Sequence, residues 1–390
     1  MKKSASVVRL GIIGLGNMGS SHISWIKAGK IPNLELTAVC DLKQSKLDQY
    51  PGYAHFTDYK QLLKSDLIDA VLIATPHYDH TTIGIAALKS GLHVIVEKPI
   101  SVHKADCERL IAAYKPKGKK QIFAAMFNQR TDSIYQKIRE LVRGGELGKI
   151  QRVNWIITDW FRTQAYYSSG GWRATWGGEG GGVLLNQCPH NLDLYQWIFG
   201  MPDKVRGFCQ LGRYHDIEVE DNVTAYFEYK SGATGVFITS TGEAPGTNRL
   251  EITGEQGKLV MEGGKLHYTR NEIPMSEFSN TTTESFGRPE SWNVEIPVAQ
   301  KGEQHIGILK NVTNAILTGE KLLSPAPEGI HSVELGNAIL MSSLLGETVD
   351  VPLPGAKFEK MLKKLVATSK PRKKKVVKTA TVTDFSKSFK

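Results

Sequence analysis

The chain has 390 residues, 41% hydrophobic and 23% charged, which suits a soluble globular protein of two domains with a tail. Its net charge of +10 is localised: residues 357–390 hold 12 Lys/Arg against 2 Asp/Glu, leaving 37 of each sign in the remainder. A neutral body with a basic tail argues against a nucleic-acid-binding domain, which would carry its charge on a folded face. Cys40, Cys107, Cys188 and Cys209 lie far apart without a CxxC pair, so neither a disulfide framework nor a cysteine metal site is expected. No apolar run approaches the roughly 18 residues that span a bilayer. The opening MKKSASVVRLGIIGLG resembles a secretion signal, but it enters a glycine motif without a small-residue cleavage site. It reads as a first strand, and the protein is expected in the cytoplasm.

Taken in chain order, residues 1–127 alternate strand and helix. The β-branched run 7–13 is a strand buried on both faces, followed by a Gly-rich turn and a helix to about 28. Strands are expected at 36–41, 70–74, 93–97 and 121–126, with helices at 81–90 and 105–114. Repeated βαβ units imply an α/β fold, a doubly wound parallel sheet of Rossmann type. After Phe127 the rhythm changes. A helix over 133–143 and a strand over 150–159 precede an aromatic, glycine-rich loop, and a helix runs through 192–199. Alternating strands from 205 to 270, separated by glycine turns, suggest an antiparallel meander, and helices return at 305–317 and 330–345. The expected organisation is a dinucleotide-binding domain over 1–127, an α+β domain with an open, mainly antiparallel sheet over 128–368, and a flexible basic tail over 369–390.

Gly14, Gly16 and Gly19 form GLGNMG, a G-x-G-x-x-G motif. A buried strand before it, a helix after it and an acidic residue ending the next strand give it weight. The first glycine allows the tight turn, the second lets backbone approach a pyrophosphate, and the third lets helix and strand pack closely. Asp41, 22 residues past Gly19, suits the adenine-ribose hydroxyls and repels a 2′-phosphate, which favours NAD over NADP. Lys43 tempers that preference.

Ligands of such sheets bind beyond the strands' carboxyl ends. Two ends carry useful residues, Ala74-Thr75-Pro76 and Glu97-Lys98-Pro99. Lys98 there would lie near the nicotinamide end and could hydrogen-bond a substrate oxygen, although composition alone reads it equally as a surface lysine. In GGGVLLNQCPHNLD, Asn186 and His190 are one helical turn apart, Pro189 favours a helix start, and Asp193 at i+3 could orient the His190 ring. A histidine near a helix start tends to be neutral and able to accept a proton. A lone histidine is nonetheless more often structural.

Together these residues resemble the glucose–fructose oxidoreductase / inositol dehydrogenase / MocA family. The resemblance runs to about Pro354, on GLGNMG, Asp41, ATPHYDH (74–80), EKP (97–99), GELGKI (145–150), GGGVLLNQCPHNLD (180–193), EDNVTAYFEYKSGATGVFITST (220–241) and GETVDVPLP (346–354). It implies an open sheet that often serves oligomerisation, hence a homo-oligomer, dimer or tetramer. It also implies dinucleotide contacts from Gly14, Gly16, Asn17, Met18, Gly19, Asp41, Ala74, Thr75, Pro76, His80, Glu97 and Lys98. The family's lysine maps to Lys98 and its D-x-x-x-H pair to Asn186 and His190, so an amide replaces the usual carboxylate. Lys98 and His190 remain the proton-handling pair.

The loop 160–176 is the expected specificity element, its Trp160, Arg162, Tyr166, Tyr167, Trp172, Arg173 and Trp176 offering flat faces and guanidinium donors to a sugar. Of these, Arg173 and Tyr167 are the first choices, with Trp160, Asn128, Arg130 and His305 also reaching the cleft. The remaining histidines show no metal-ligand spacing, and no membrane or nucleic-acid partner is expected. The leading expectation is NAD-dependent oxidation of a secondary hydroxyl of a sugar, polyol or glycoside. Two alternatives stand beside it: glycoside cleavage with transient use of tightly held NAD, and a non-catalytic sensor of dinucleotide or sugar.

Overall fold

The computed structural model describes residues 7–115, 121–169, 171–299 and 301–369. Its first sheet consists of β1 (Val8–Ile13), β2 (Leu34–Cys40), β3 (Ala54–Phe56), β4 (Ala70–Ile73), β5 (His93–Val96) and β6 (Phe123–Ala125). All pairings are parallel, in the order β3-β2-β1-β4-β5-β6. Every residue of β4 and β6 is buried, because helices cover both faces; this is why these strands read as unbroken apolar runs. On one face Leu10, Ile12 and Leu72 meet Ile23 and Ile26 of helix Asn17–Lys27. On the other, Ile13, Val71 and Ile73 meet Ile83 of helix His77–Lys89 and Leu110 of helix Lys104–Ala112. The strand order reverses between β1 and β4, so a crevice opens beyond their carboxyl ends.

Helix His77–Lys89 begins directly after Pro76, one turn earlier than the expected start at 81. Pro76 presets the entry, and Asp79 in the first turn suits the positive end of the helix. The strand Ala54–Phe56 was not expected, since three residues carry no readable period.

The second sheet contains β7 (Ile150–Ile157), β8 (Lys204–Leu211), β9 (Glu220–Glu228), β10 (Thr234–Ser240), β11 (Asn248–Gly254), β12 (Gly257–Glu262), β13 (Lys265–Asn271), β14 (Ser291–Ile296) and β15 (Val349–Asp350). Their order is β14-β13-β12-β11-β7-β10-β9-β8-β15. Neighbours are antiparallel except β7 and β10, which pair in parallel at the centre. The sheet is open and mixed: along β9 Val223, Ala225 and Phe227 point into the core while Thr224, Tyr226 and Glu228 face out. Helices Ser133–Arg143, Pro189–Phe199 and Gly329–Leu345 cover the inner face. A last helix, Gly355–Thr368, seats Phe358 and Leu362 in the same core.

The first sheet's core is not built by residues 1–127 alone. Ile308, Leu309 and Val312 of helix Gln304–Thr318 pack against the first sheet, although the sequence assigns them to the second domain. The chain thus crosses back to the first unit after building the second sheet. Apart from Ser369, whose hydroxyl donates to Glu218 at 2.6 Å, the expected tail lies outside the described residues. Among the described residues no helix is long and apolar enough to cross a membrane.

Candidate active site

A cavity of about 1390 Å³ lies in the crevice, with Asp41 and Lys43 at one end and Lys98, His190 and the aromatic loop at the other. Its first half is made largely of backbone. Gly14 has φ +94°, and a Cβ there would fall 2.6 Å from the Ala74 carbonyl oxygen, so only glycine fits the turn. Gly16 has open space where its Cβ would point and lies on the cavity wall with Asn17 and Met18. The helix Asn17–Lys27 has neither a side-chain N-cap nor an acid in its first turn. Its amide dipoles therefore face an anion site without an internal competitor. Gly19 is not on the wall; a Cβ there would fall 1.9 Å from the Gly14 oxygen, so its role is close packing.

Asp41 accepts the amides of Leu15 at 2.9 Å and Lys43 at 3.0 Å and lies 3.6 Å from Lys46 Nζ. Ala74, Thr75, Pro76, His80 and Glu97 line the middle of the cavity. The Thr75 hydroxyl is buried without a partner among the described residues, as a cofactor-facing donor would be. His80 places its two ring nitrogens 2.8 and 2.9 Å from the Pro99 and Thr75 carbonyls, bracing the two strand ends against each other. These residues fit a dinucleotide.

At the other end, Lys98 Nζ donates to the backbone oxygen of Asn186 at 2.7 Å. Burial pushes this ammonium down to about 8; Glu97 and Glu179 oppose the shift, and Arg162 and Arg173 add to it. Glu97 itself accepts from His22 Nε2 at 2.7 Å, and both side chains are buried. Burial works against that carboxylate, but the His22 contact holds it below the usual range. His190 sits in the first turn of helix Pro189–Phe199 and reaches the cavity, and its Nδ1 is buried without a partner among the described residues. Burial, then the charge of Lys98 and the proximity of His305, hold its imidazole well below the ordinary value. At neutral pH it is uncharged.

Asn186 precedes the helix instead of sharing its face with His190, yet both line the cavity. Its amide donates to Glu179 Oε1, and its oxygen lies 3.4 Å from the Tyr166 hydroxyl and 3.3 Å from Gln187 Nε2. His305 lines the wall against Trp25 and His22, and burial lowers it to about 4. Trp160 donates its indole N–H to Asn191 at 3.0 Å and still borders the cavity. Asn128 also borders it, giving its amide to Gln304 while its own oxygen is unpartnered among the described residues.

Four further expected placements differ, the first being Trp176, which is buried in the second sheet's core and absent from the wall. Tyr167 is buried away from the wall, its hydroxyl donating to Thr241 at 2.8 Å; the adjacent Tyr166 faces the cavity. The short helix Gln164–Ser168 turns successive side chains by about 100°, which puts the neighbours on different faces. Asp193 does not orient His190: it grips Arg130 at 2.6 and 2.7 Å in a bidentate pair that is wholly buried. Arg130, committed to Asp193 and Glu328, does not reach the cavity.

Glu179 and His77 were not anticipated. Glu179 is the lone acid in the glycine run 177–182, held by the Ala174 amide and 3.8 Å from Arg173 Nη1, and burial raises its carboxyl. That isolation among glycines was the available signal. The run itself is dictated by space, since a Cβ on Gly182 would fall 1.9 Å from the Glu220 oxygen. His77 packs on Trp172 and lies 3.3 Å from the Glu179 oxygen.

A doubly wound sheet, an uncapped helix start over a glycine turn and a buried lysine beside a neutral histidine define a nicotinamide-dinucleotide oxidoreductase. Residues 8–125 match the oxidoreductase family with the NAD-binding Rossmann fold, and residues 135–260 match the GFO/IDH/MocA C-terminal domain. The two matches together span more than half of the chain, which belongs to this family, and its first domain is NAD-binding. It is 27% identical over 267 residues to myo-inositol 2-dehydrogenase of Thermotoga maritima, covering 65% of this chain and 75% of that one. The structure is similar to the WlbA dehydrogenase from Chromobacterium violaceum in complex with NADH and UDP-GlcNAcA, with a TM-score of 0.75, 26% identity and coverage of 89% and 97%. A levoglucosan dehydrogenase complexed with NADH and levoglucosan shares the fold at a TM-score of 0.71 and 20% identity, with coverage of 89% and 100%.

Proposed function

We propose that this protein oxidises a secondary hydroxyl of a sugar, polyol or glycoside to the keto form. Bound NAD supplies the hydride acceptor. The observation that carries the reading is the juxtaposition, in one cavity wall, of Lys98 with an uncharged His190 whose Nδ1 has no partner among the described residues. His190 takes the hydroxyl proton. Lys98, fixed by Asn186, donates to the same oxygen and stabilises negative charge as it develops there. Asn186, Asn128, Tyr166 and Arg173 supply hydroxyl partners, and Trp160 and Trp172 supply flat faces for the C–H surface of a ring. A relative named for myo-inositol and a similar structure in complex with UDP-GlcNAcA support a polyhydroxylated substrate.

The test mixes purified protein and NAD with free sugars, polyols and glycosides, following reduced-nicotinamide absorbance and product mass. The expected result is accumulating NADH with a product two hydrogens lighter. Glycoside cleavage without net NADH would replace this reading with transient redox, and binding without turnover would replace it with a sensor. The same reading includes a homo-oligomer. Phe208 and Tyr226 stand exposed on the outer face of the second sheet, and sedimentation of the protein as a monomer would contradict that part.

A further inference from the structure

Glu179 is 1% exposed, and both of its carboxyl oxygens are engaged. Oε1 accepts from the Asn186 side-chain amide, and Oε2 accepts the backbone N–H of Ala174 at 2.5 Å. Two N–H donors suit an ionised carboxylate, which is acceptor-only. The main chain is tied down as well: its amide donates to the Thr175 oxygen at 2.9 Å, and its carbonyl lies 3.3 Å from His77 Nδ1. Held by side chain and backbone alike, this carboxylate has little freedom to move.

Each partner of the carboxylate leads to the cavity. The backbone oxygen of Asn186 accepts Lys98 Nζ at 2.7 Å. Its side-chain oxygen meets the Tyr166 hydroxyl at 3.4 Å and Gln187 Nε2 at 3.3 Å, which keeps the amide nitrogen turned toward Glu179. Ala174 is buried with φ +52°, in the left-handed region that a residue with a side chain seldom adopts. Such a turn persists when its surroundings hold it, and Glu179 holds its N–H. Trp172 and Arg173, the residues just before it, line the cavity.

Charge follows the same route. Glu97 and Glu179 favour the ammonium of Lys98, while Arg162 and Arg173 oppose it less strongly. His77, His190 and His305 also feel Lys98, after burial has lowered each of them. Glu97 is paired with His22, whereas Glu179 lies one hydrogen bond behind Asn186. Burial raises the Glu179 carboxyl, and Arg173 and Lys98 pull it back; Glu220 and Tyr167 lie in its field.

Resting on the dehydrogenase reading, we propose that Glu179 is the positioning residue of this site: through Asn186 it fixes the carbonyl that holds Lys98, and through Ala174 it fixes the turn that brings Trp172 and Arg173 to the cavity. It touches neither the reacting hydroxyl nor the dinucleotide, and acts on both halves of the substrate end from behind the wall.

The experiment exchanges the two hydrogen-bonded groups, with the full chain and saturating NAD. Glu179→Gln sets two amide nitrogens against each other. Glu179→Gln combined with Asn186→Asp keeps every donor and acceptor of the pair and returns the charge. Turnover is read as NADH. The Lys98 midpoint is read without turnover, from the pH dependence of its acetylation by acetic anhydride, followed by peptide mass spectrometry. Glu179→Gln is expected to bind NAD as the wild type does, to lose roughly 10-fold in kcat and to raise the sugar KM. Its Lys98 midpoint falls below the wild-type value of about 8, because an acid that favours the ammonium is gone. The exchanged pair recovers kcat, KM and midpoint. An unmoved midpoint, or a loss that the exchange does not restore, loss of the fold included, would overturn the inference and leave the dehydrogenase reading intact. A midpoint that moves and is restored in a protein that turns over no sugar would overturn that reading and keep the inference.

Discussion

The two ends of the cavity are built by different means. At the dinucleotide end the wall groups are largely backbone, set by glycines that allow the turn and by a helix that starts without a cap, with the Asp41 and Thr75 side chains beside them. At the substrate end they are side chains drawn from β5, the loop 160–187, helix Pro189–Phe199 and the segment 301–305. A backbone site is fixed by short contiguous spacing, so it tolerates few changes of residue and serves one ligand. A side-chain site assembled from distant segments is re-specified by single substitutions while the fold stays the same. The contrast also separates stability from chemistry: the buried pair Arg130–Asp193 satisfies both partners, whereas His190, one turn before Asp193, lines the cavity and has a buried Nδ1 without a partner among the described residues.

Variants at each end sharpen that contrast. The largest effect is expected for His190→Asn, which removes the proton acceptor and should lower kcat roughly 10²- to 10⁴-fold with NAD affinity retained. Stopped-flow kinetics and a binding titration read the two separately. Arg130→Ala should act on the fold instead, costing about 3–5 kcal/mol by leaving Asp193 buried and unpaired. Chemical unfolding checks this, and a change in midpoint within error would show the pair to be dispensable. Asp41→Ala should weaken NAD roughly 10-fold and narrow the preference over NADP, as loss of a charged acceptor implies. An unchanged KM ratio for the two cofactors would remove Asp41 from the ribose site.

The smallest effect concerns pH. Lys98 serves as a protonated donor, so kcat/KM should fall as pH rises through about 8, while neutral His190 keeps activity high down to acidic pH. Glu179 supports the charged lysine, so Glu179→Gln lowers its affinity for a proton and moves the alkaline limb to lower pH. A limb that stays in place or moves upward would mean that Lys98 is not the titrating group.

Much of the dinucleotide end was legible in the sequence because its determinants are contiguous: GLGNMG, a strand ending at Asp41 and the repeated βαβ rhythm. Lys98 and His190 could be singled out because each lies at an element end in a distinctive string. The facing of Tyr166 over Tyr167 could not, since it depends on where a five-residue helix begins. The claim of Arg130 on Asp193, 63 residues away, likewise overrode a plausible local i+3 pairing with His190. Glu179 acquires meaning only when the glycine run folds it behind Asn186. The parallel β7–β10 pairing and the return of helix Gln304–Thr318 to the first sheet are choices of topology that no local period encodes.

The most direct test of the central claim is NADH formation by wild-type protein and by Lys98→Met on a sugar that the wild type oxidises, with NAD binding measured on the same samples. The account predicts that Lys98→Met binds NAD as tightly as the wild type and forms NADH at least roughly 100-fold more slowly. NADH formation at the wild-type rate would contradict it, because the chemistry would then proceed without the Lys98 ammonium that shares the cavity wall with His190.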